Sequence, residues 1–213
     1  DIVQVVLLIF GGLAVSYISL TKIGDGSIAT GMLQVYQQMP EKFDMILSPD
    51  NPSYNNLPGI WILIGAGVWI GHFAYWGFNQ YITQRALGAK SLKEAQKGVM
   101  FAAYLKLLMP LVIVLPGICA AVLFPVLEKT DQAYPTMMIE LLPSGLLGLT
   151  FAALIAAIVS SLASMTNSIS TIFTMDICRS FSKKEVSQSS LIMIGRSAVV
   201  GSMLIALVMA KPI

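Results

Sequence analysis

Lys106 stands in the middle of an apolar run, residues 98–127, that carries no other charge. On a helix rising about 1.5 Å per residue, its ammonium starts roughly 12 Å inside that run. Holding a cation in hydrocarbon costs at least about 2.5–3.5 kcal/mol on insertion scales. Two arrangements relieve the cost: the lysine faces a polar cavity or partner, or its stem snorkels to the interface. The depth of Lys106 points to the first.

A second group of residues with chemical potential is His72-Phe73-Ala74-Tyr75-Trp76-Gly77-Phe78-Asn79-Gln80, in a segment that also carries Gly65, Gly67 and Gly71. Glycine costs about 1 kcal/mol relative to alanine inside a helix, and polar side chains add desolvation. At membrane depth such a segment is tolerated where it is buried in protein or lines a cavity. Broken helices of this kind build midplane ligand sites in inverted-repeat folds. The expected interruption lies between Gly71 and Phe78. The competing arrangement is an interfacial belt made of Tyr75 and Trp76.

A third group is a polar stripe. At 100° per residue, Ser160, Ser164, Asn167, Ser168, Thr171 and Thr174 fall within an arc of about 120°, and Ala153, Ala156 and Ala157 extend it. Small polar residues in a membrane helix support close packing with interhelical hydrogen bonds. Alternatively, the neighbouring hydroxyls of Ser160 and Ser161 offer neutral oxygens to a hard cation. With no carboxylate in mid-span, such a cage suits a weakly held monovalent ion better than calcium or magnesium. Spacing alone does not choose between packing and ion binding.

The elements that must position these residues are membrane helices. Hydrophobic residues form 56% of the 213 and charged residues only 11%, against about 25% charged in a soluble domain. Five stretches are apolar and long enough to span: about 1–20, 57–81, 98–127, 146–177 and 191–210. The expected fold class is an all-α integral membrane protein forming a single membrane domain. The connection 21–56 carries Pro40, Pro49 and Pro52 and is expected to be partly irregular. Arg85, Lys90, Lys93 and Lys97 after the second span, and Arg179, Lys183 and Lys184 after the fourth, mark cytoplasmic loops. Segments 21–56 and 128–143 are then extracellular. Asp1 opens the chain inside an apolar segment with no methionine, which reads as an interior fragment of a longer protein. A net charge of +2 gives no case for nucleic acid. Cys119 and Cys178 lack metal-ligand spacing and read as small buried hydrophobes.

Three strings carry a family resemblance, in order and with matching spacing. Tyr75-Trp76-Gly77-Phe78-Asn79-Gln80-Tyr81-Ile82-Thr83-Gln84-Arg85 resembles the sixth core span of the solute:sodium symporter family, its sodium/galactose cotransporters in particular. Phe101-Ala102-Ala103-Tyr104-Leu105-Lys106-Leu107-Leu108-Met109-Pro110 resembles the seventh. Ala156-Ala157-Ile158-Val159-Ser160-Ser161-Leu162-Ala163-Ser164-Met165 resembles the eighth. The resemblance implies the leucine-transporter-type inverted-repeat fold, with about core spans 5–9 present. It implies that Tyr75 stacks on a sugar ring and closes the site toward the cytoplasm, with Trp76 beside it, and that Lys106 bonds sugar hydroxyls. It further implies that the Ala157 carbonyl and the Ser160 and Ser161 hydroxyls form half of a sodium site, and that Asp1 lies on the sodium exit path.

His72 departs from the pattern, standing where the galactose carriers have an asparagine that contacts sugar. His72 and Tyr75 share a helix face, so a role in substrate binding survives while galactose itself is put in doubt. The function implied is sodium-coupled symport of a galactose- or glucose-like monosaccharide by alternating access, in the bacterial cytoplasmic (inner) membrane. The alternatives are a non-transporting sugar sensor on the same scaffold, or a symporter of another polar solute such as inositol. Apart from sodium, the monosaccharide and the bilayer, no cofactor and no obligatory protein partner is expected. An intramembrane enzyme built on a Ser160/Lys106 nucleophile pair is disfavoured, because nothing supplies a recognisable oxyanion hole.

Overall fold

The computed structural model describes residues 2–44, 46–51, 54, 63–127, 129–182 and 186–210, and among these all regular structure is helical. Helix α1 (Ile2–Ile23) is almost wholly apolar. The chain then turns through Asp25 and Gly26, with φ of 50° and 97°; glycine enters this left-handed region without a Cβ penalty. Ser27 caps the next helix, its hydroxyl accepting from the Thr30 amide, and α2 (Ile28–Gln38) begins there.

The prolines of 21–56 suggested a partly irregular connection. Its first half is a helix, because residues 28–38 contain no proline and start at a good cap. Helix α2 lies back on α1 so closely that a Cβ added to Gly31 would sit 2.0 Å from the Leu20 carbonyl oxygen. Backbone cannot move aside as a side-chain tip can. Gly31→Ala is therefore expected to cost about 1–3 kcal/mol, measured as a lowered Tm in detergent. An unchanged Tm would mean that α2 does not dock here.

In the second expected span, residues 57–62 lie outside the described residues. From Leu63 the backbone runs through a π-helix (Leu63–Gly67), α3 (Val68–Phe73) and a second π-helix (Ala74–Phe78). Such wide turns are frequent at functional sites. The helix stops at Asn79, whose φ of −80° and ψ of 108° are extended. That is one residue beyond the interval 71–78. The glycines loosen the helix without breaking it; the break falls where an asparagine can cap the next helix. Asn79 Oδ1 accepts from the Tyr81 amide at 3.2 Å and opens α4 (Gln80–Leu87).

Helix α5 (Leu92–Lys106) starts at Ser91, which caps the Glu94 amide. It ends at Lys106 because Pro110, four residues on, has no N–H to give the Lys106 carbonyl. The Leu107 and Leu108 amides tighten instead onto Tyr104 and Leu105, three residues back. A π-helix (Pro110–Val114) then leads into α6 (Leu115–Leu123). After α7 (Ala133–Leu141) come α8 (Ser144–Thr171), a π-helix (Ile172–Cys178), the short α9 (Arg179–Phe181) and α10 (Gln188–Met209).

Four helical stretches among the described residues are long and apolar enough to cross a membrane: Ile2–Ile23, Leu92–Leu123, Ser144–Phe181 and Gln188–Met209. The chain is a multi-pass membrane protein. Helix α1 is the hub. Gly11 meets Thr150 of α8, Gly12 meets Val112, and the Ser16 hydroxyl donates to the Leu111 carbonyl. Such small-residue contacts replace the hydrophobic drive that is missing between helices in lipid. A core of Val15, Leu20, Val35, Leu115, Cys119 and Met137 gathers round the C-terminal half of α1. Cys119 is buried and Cys178 half-buried, both as free thiols. Ile158, Val159, Leu204 and Val208 are exposed, as residues facing a bilayer are.

Candidate substrate and cation sites

The widened turn Ala74–Phe78 presents Tyr75 and Trp76 side by side, their rings edge to face with centroids 5.3 Å apart. The lysine at the end of α5 reaches this pair. Lys106 Nζ stands 4.5 Å from the Trp76 ring centroid and 5.9 Å from that of Tyr75. Three residues named from the sequence for substrate are thus in one place, although 30 positions separate Lys106 from Trp76. An ammonium over an indole face is a cation–π contact, and it holds the lysine toward the aromatic pair. Tyr75 and Trp76 thus meet a side chain from a different helix. Lys106 is exposed rather than buried. The reason is local: Pro110 ends the helix at this lysine, which sits at a helix terminus and not in an unbroken apolar wall.

Tyr75 and Trp76 line a cleft of about 540 Å³ between α4 and α5, together with Tyr81, Thr83, Arg85, Glu94 and Ala102. Its size is within the range of small-molecule sites.

His72 lies on α3, exposed, and makes no hydrogen bond or ion pair among the described residues. The structure does not place it in contact with Lys106. A neutral imidazole offers one donor and one acceptor, whereas an asparagine amide offers two of each. If the full-length protein carries sugar as the sequence resemblance implies, His72→Asn is expected to shift the ranking of glucose against galactose in competitive uptake. A ranking identical to wild type would assign His72 to the scaffold.

The polar stripe lies on α8, with Thr174 in the π-helix that follows. Ser164, Ser168 and Thr171 donate to the carbonyls of Ser160, Ser164 and Asn167 at 3.0, 3.1 and 2.9 Å. Much of the stripe is thus satisfied by the preceding turn of its own helix. Ala157, Ser160 and Ser161 are half-buried. Unlike its neighbours, the Ser161 hydroxyl has no such bond among the described residues. Ser160 lines a groove with Gln4, Ala152 and Ala156, so the N-terminal end of α1 runs along this face of α8. Asp1 lies outside the described residues.

Sequence reading did not single out the polar link between α4 and α8. Arg85 Nη2 donates to Ser164 Oγ at 3.0 Å, and Asn167 Nδ2 to Gln84 Oε1 at 3.5 Å. Ser164 and Asn167 belong to the stripe, so half of the link was visible as a polar helix face. Its partner was not.

A family model described as the sodium:solute symporter family matches residues 1–212, and the chain belongs to that family. It is 45% identical over 229 residues to the sodium/glucose cotransporter of Vibrio parahaemolyticus, covering 99% of this chain and 42% of that protein. An uncharacterized symporter, YidK, of Escherichia coli (strain K12) is 38% identical over 92% of this chain and 33% of its own length. The sodium/myo-inositol cotransporter 2 of Homo sapiens is 37% identical over 74% of this chain and 25% of its own. The chain thus spans well under half the length of these relatives.

Proposed function

We propose that the chain forms part of a sodium-coupled symporter of a monosaccharide in a bacterial cytoplasmic membrane. One observation carries the reading: the Lys106 ammonium stands over Trp76 beside Tyr75, at a helix break and next to a cleft of small-molecule size. A sugar ring presents an apolar C–H face, which suits an aromatic side chain. Its hydroxyl oxygens suit an ammonium that carries three donors and no acceptor. The coupling ion is sodium, held by the Ala157 carbonyl and the Ser160 and Ser161 hydroxyls, and it leaves toward the cytoplasm past Asp1. Sodium stabilises the outward-facing state that captures sugar, and inward opening releases both. Because such coupling is reciprocal, sodium raises sugar affinity by the factor by which sugar raises sodium affinity.

The test is counterflow of labelled glucose or galactose in proteoliposomes containing the full-length protein. An inward sodium gradient is expected to drive accumulation. Saturable binding without counterflow would instead indicate a sensor. The inositol-carrying relatives favour a second reading, with a cyclic polyol as substrate. Myo-inositol that competes more strongly than either hexose would establish it.

A further inference from the structure

Arg85 joins the sugar cleft to the proposed sodium helix. Arg85 lines the cleft next to Tyr75, Trp76 and Tyr81, and its guanidinium carbon stands 5.5 Å from the Tyr81 ring centroid. From there Nη2 donates to Ser164 Oγ, 3.0 Å away on α8. Ser164 passes its own proton the other way, to the Ser160 carbonyl at 3.0 Å. A hydroxyl has one donor and two acceptor lone pairs. With the donor committed to Ser160, the acceptor side faces Arg85.

Helix α4 is the lever. It begins immediately after the break at Asn79, three residues beyond Trp76, and its far end is tied to α8 twice, by Arg85 to Ser164 and by Gln84 to Asn167. A ligand that repositions Tyr75 and Trp76 moves the start of α4. A cation that draws the Ser160 oxygens moves the helix to which its end is tied. Resting on the symport reading above, we infer that Arg85 is a positioning residue that couples the two sites, holding the Ser164–Ser160 turn of α8 in step with the aromatic end of the sugar cleft.

The inference separates from mere stability or direct sugar contact by its readout, the coupling factor: sugar affinity at saturating sodium divided by sugar affinity without sodium. Such factors are typically about 5–150. In the full-length transporter, Arg85→Gln and Ser164→Ala are each expected to pull this factor toward one. The double variant is expected to be no worse than either, because both remove one link. Arg85→Lys retains charge but not the planar fork, and is expected to keep part of the coupling, which serves if the glutamine variant does not fold.

Binding of labelled sugar to detergent-purified protein, titrated with sodium against choline, measures all four variants. A coupling factor equal to wild type in Arg85→Gln or Arg85→Lys would overturn the inference. So would a loss of sugar affinity by the same factor at every sodium concentration, which would make Arg85 a substrate ligand or a scaffold residue. A wild-type factor of one would instead sink the symport reading on which the inference stands.

Discussion

Replacing Lys106 by alanine in the full-length transporter is expected to weaken apparent sugar affinity roughly ten- to hundredfold. The substitution removes a charge-assisted hydrogen bond worth about 1.5–3 kcal/mol. The lysine has no carboxylate partner among the described residues, where the ion pair found is Lys97 with Glu94. Its ammonium is held by the Trp76 and Tyr75 rings, and that contact adds about 0.5–1 kcal/mol at an exposed site. Rings leave the three N–H donors largely unspent, so they are available to hydroxyls. Folding should survive, since Lys106 is exposed and already ends its helix. Uptake at saturating sodium, over a range of sugar concentrations, reads the effect. A variant that folds and transports with wild-type sugar affinity would make Lys106 a lysine that snorkels beside the rings and binds nothing.

Ser161→Ala is expected to raise the sodium concentration for half-maximal uptake roughly tenfold, taking a lost charge-assisted contact at the lower end of 1.5–3 kcal/mol. The serine is chosen over its neighbours for a structural reason. Ser164 and Ser168 spend their hydroxyls on carbonyls one turn back, while the Ser161 hydroxyl has no such bond among the described residues. The residue is half-buried, so alanine leaves no large cavity and helix stability should change little. Close packing alone predicts an unchanged sodium dependence, because alanine fits a face of small residues. Half-saturation for sodium that matches wild type would therefore return the stripe to a purely structural role.

The membrane class, the helix that carries Lys106 and the polar face of α8 were legible in the residues themselves. Hydrophobic run length and the 3.6-residue period are local properties, and they survive any tertiary arrangement. The break in the second span was legible to within one residue. The glycines and polar residues marked a weak helix, but its end depends on which side chain can cap the next one, and Asn79 does so. The family strings named Tyr75, Trp76 and Lys106 together, and folding brings them within 6 Å of one another.

Other features belong to the tertiary structure alone. The docking of α2 on α1 depends on Gly31 facing Leu20, a contact between helices joined by a tight turn and hidden by the prolines further along the connection. The link from Arg85 to Ser164 spans 79 positions and joins a residue of α4 to a hydroxyl of α8. Periodicity tells which face of a helix is polar. It carries no information about which other helix meets that face, because the angle and depth of contact are set by the small residues of α1 and by the breaks at Asn79 and Pro110 acting together.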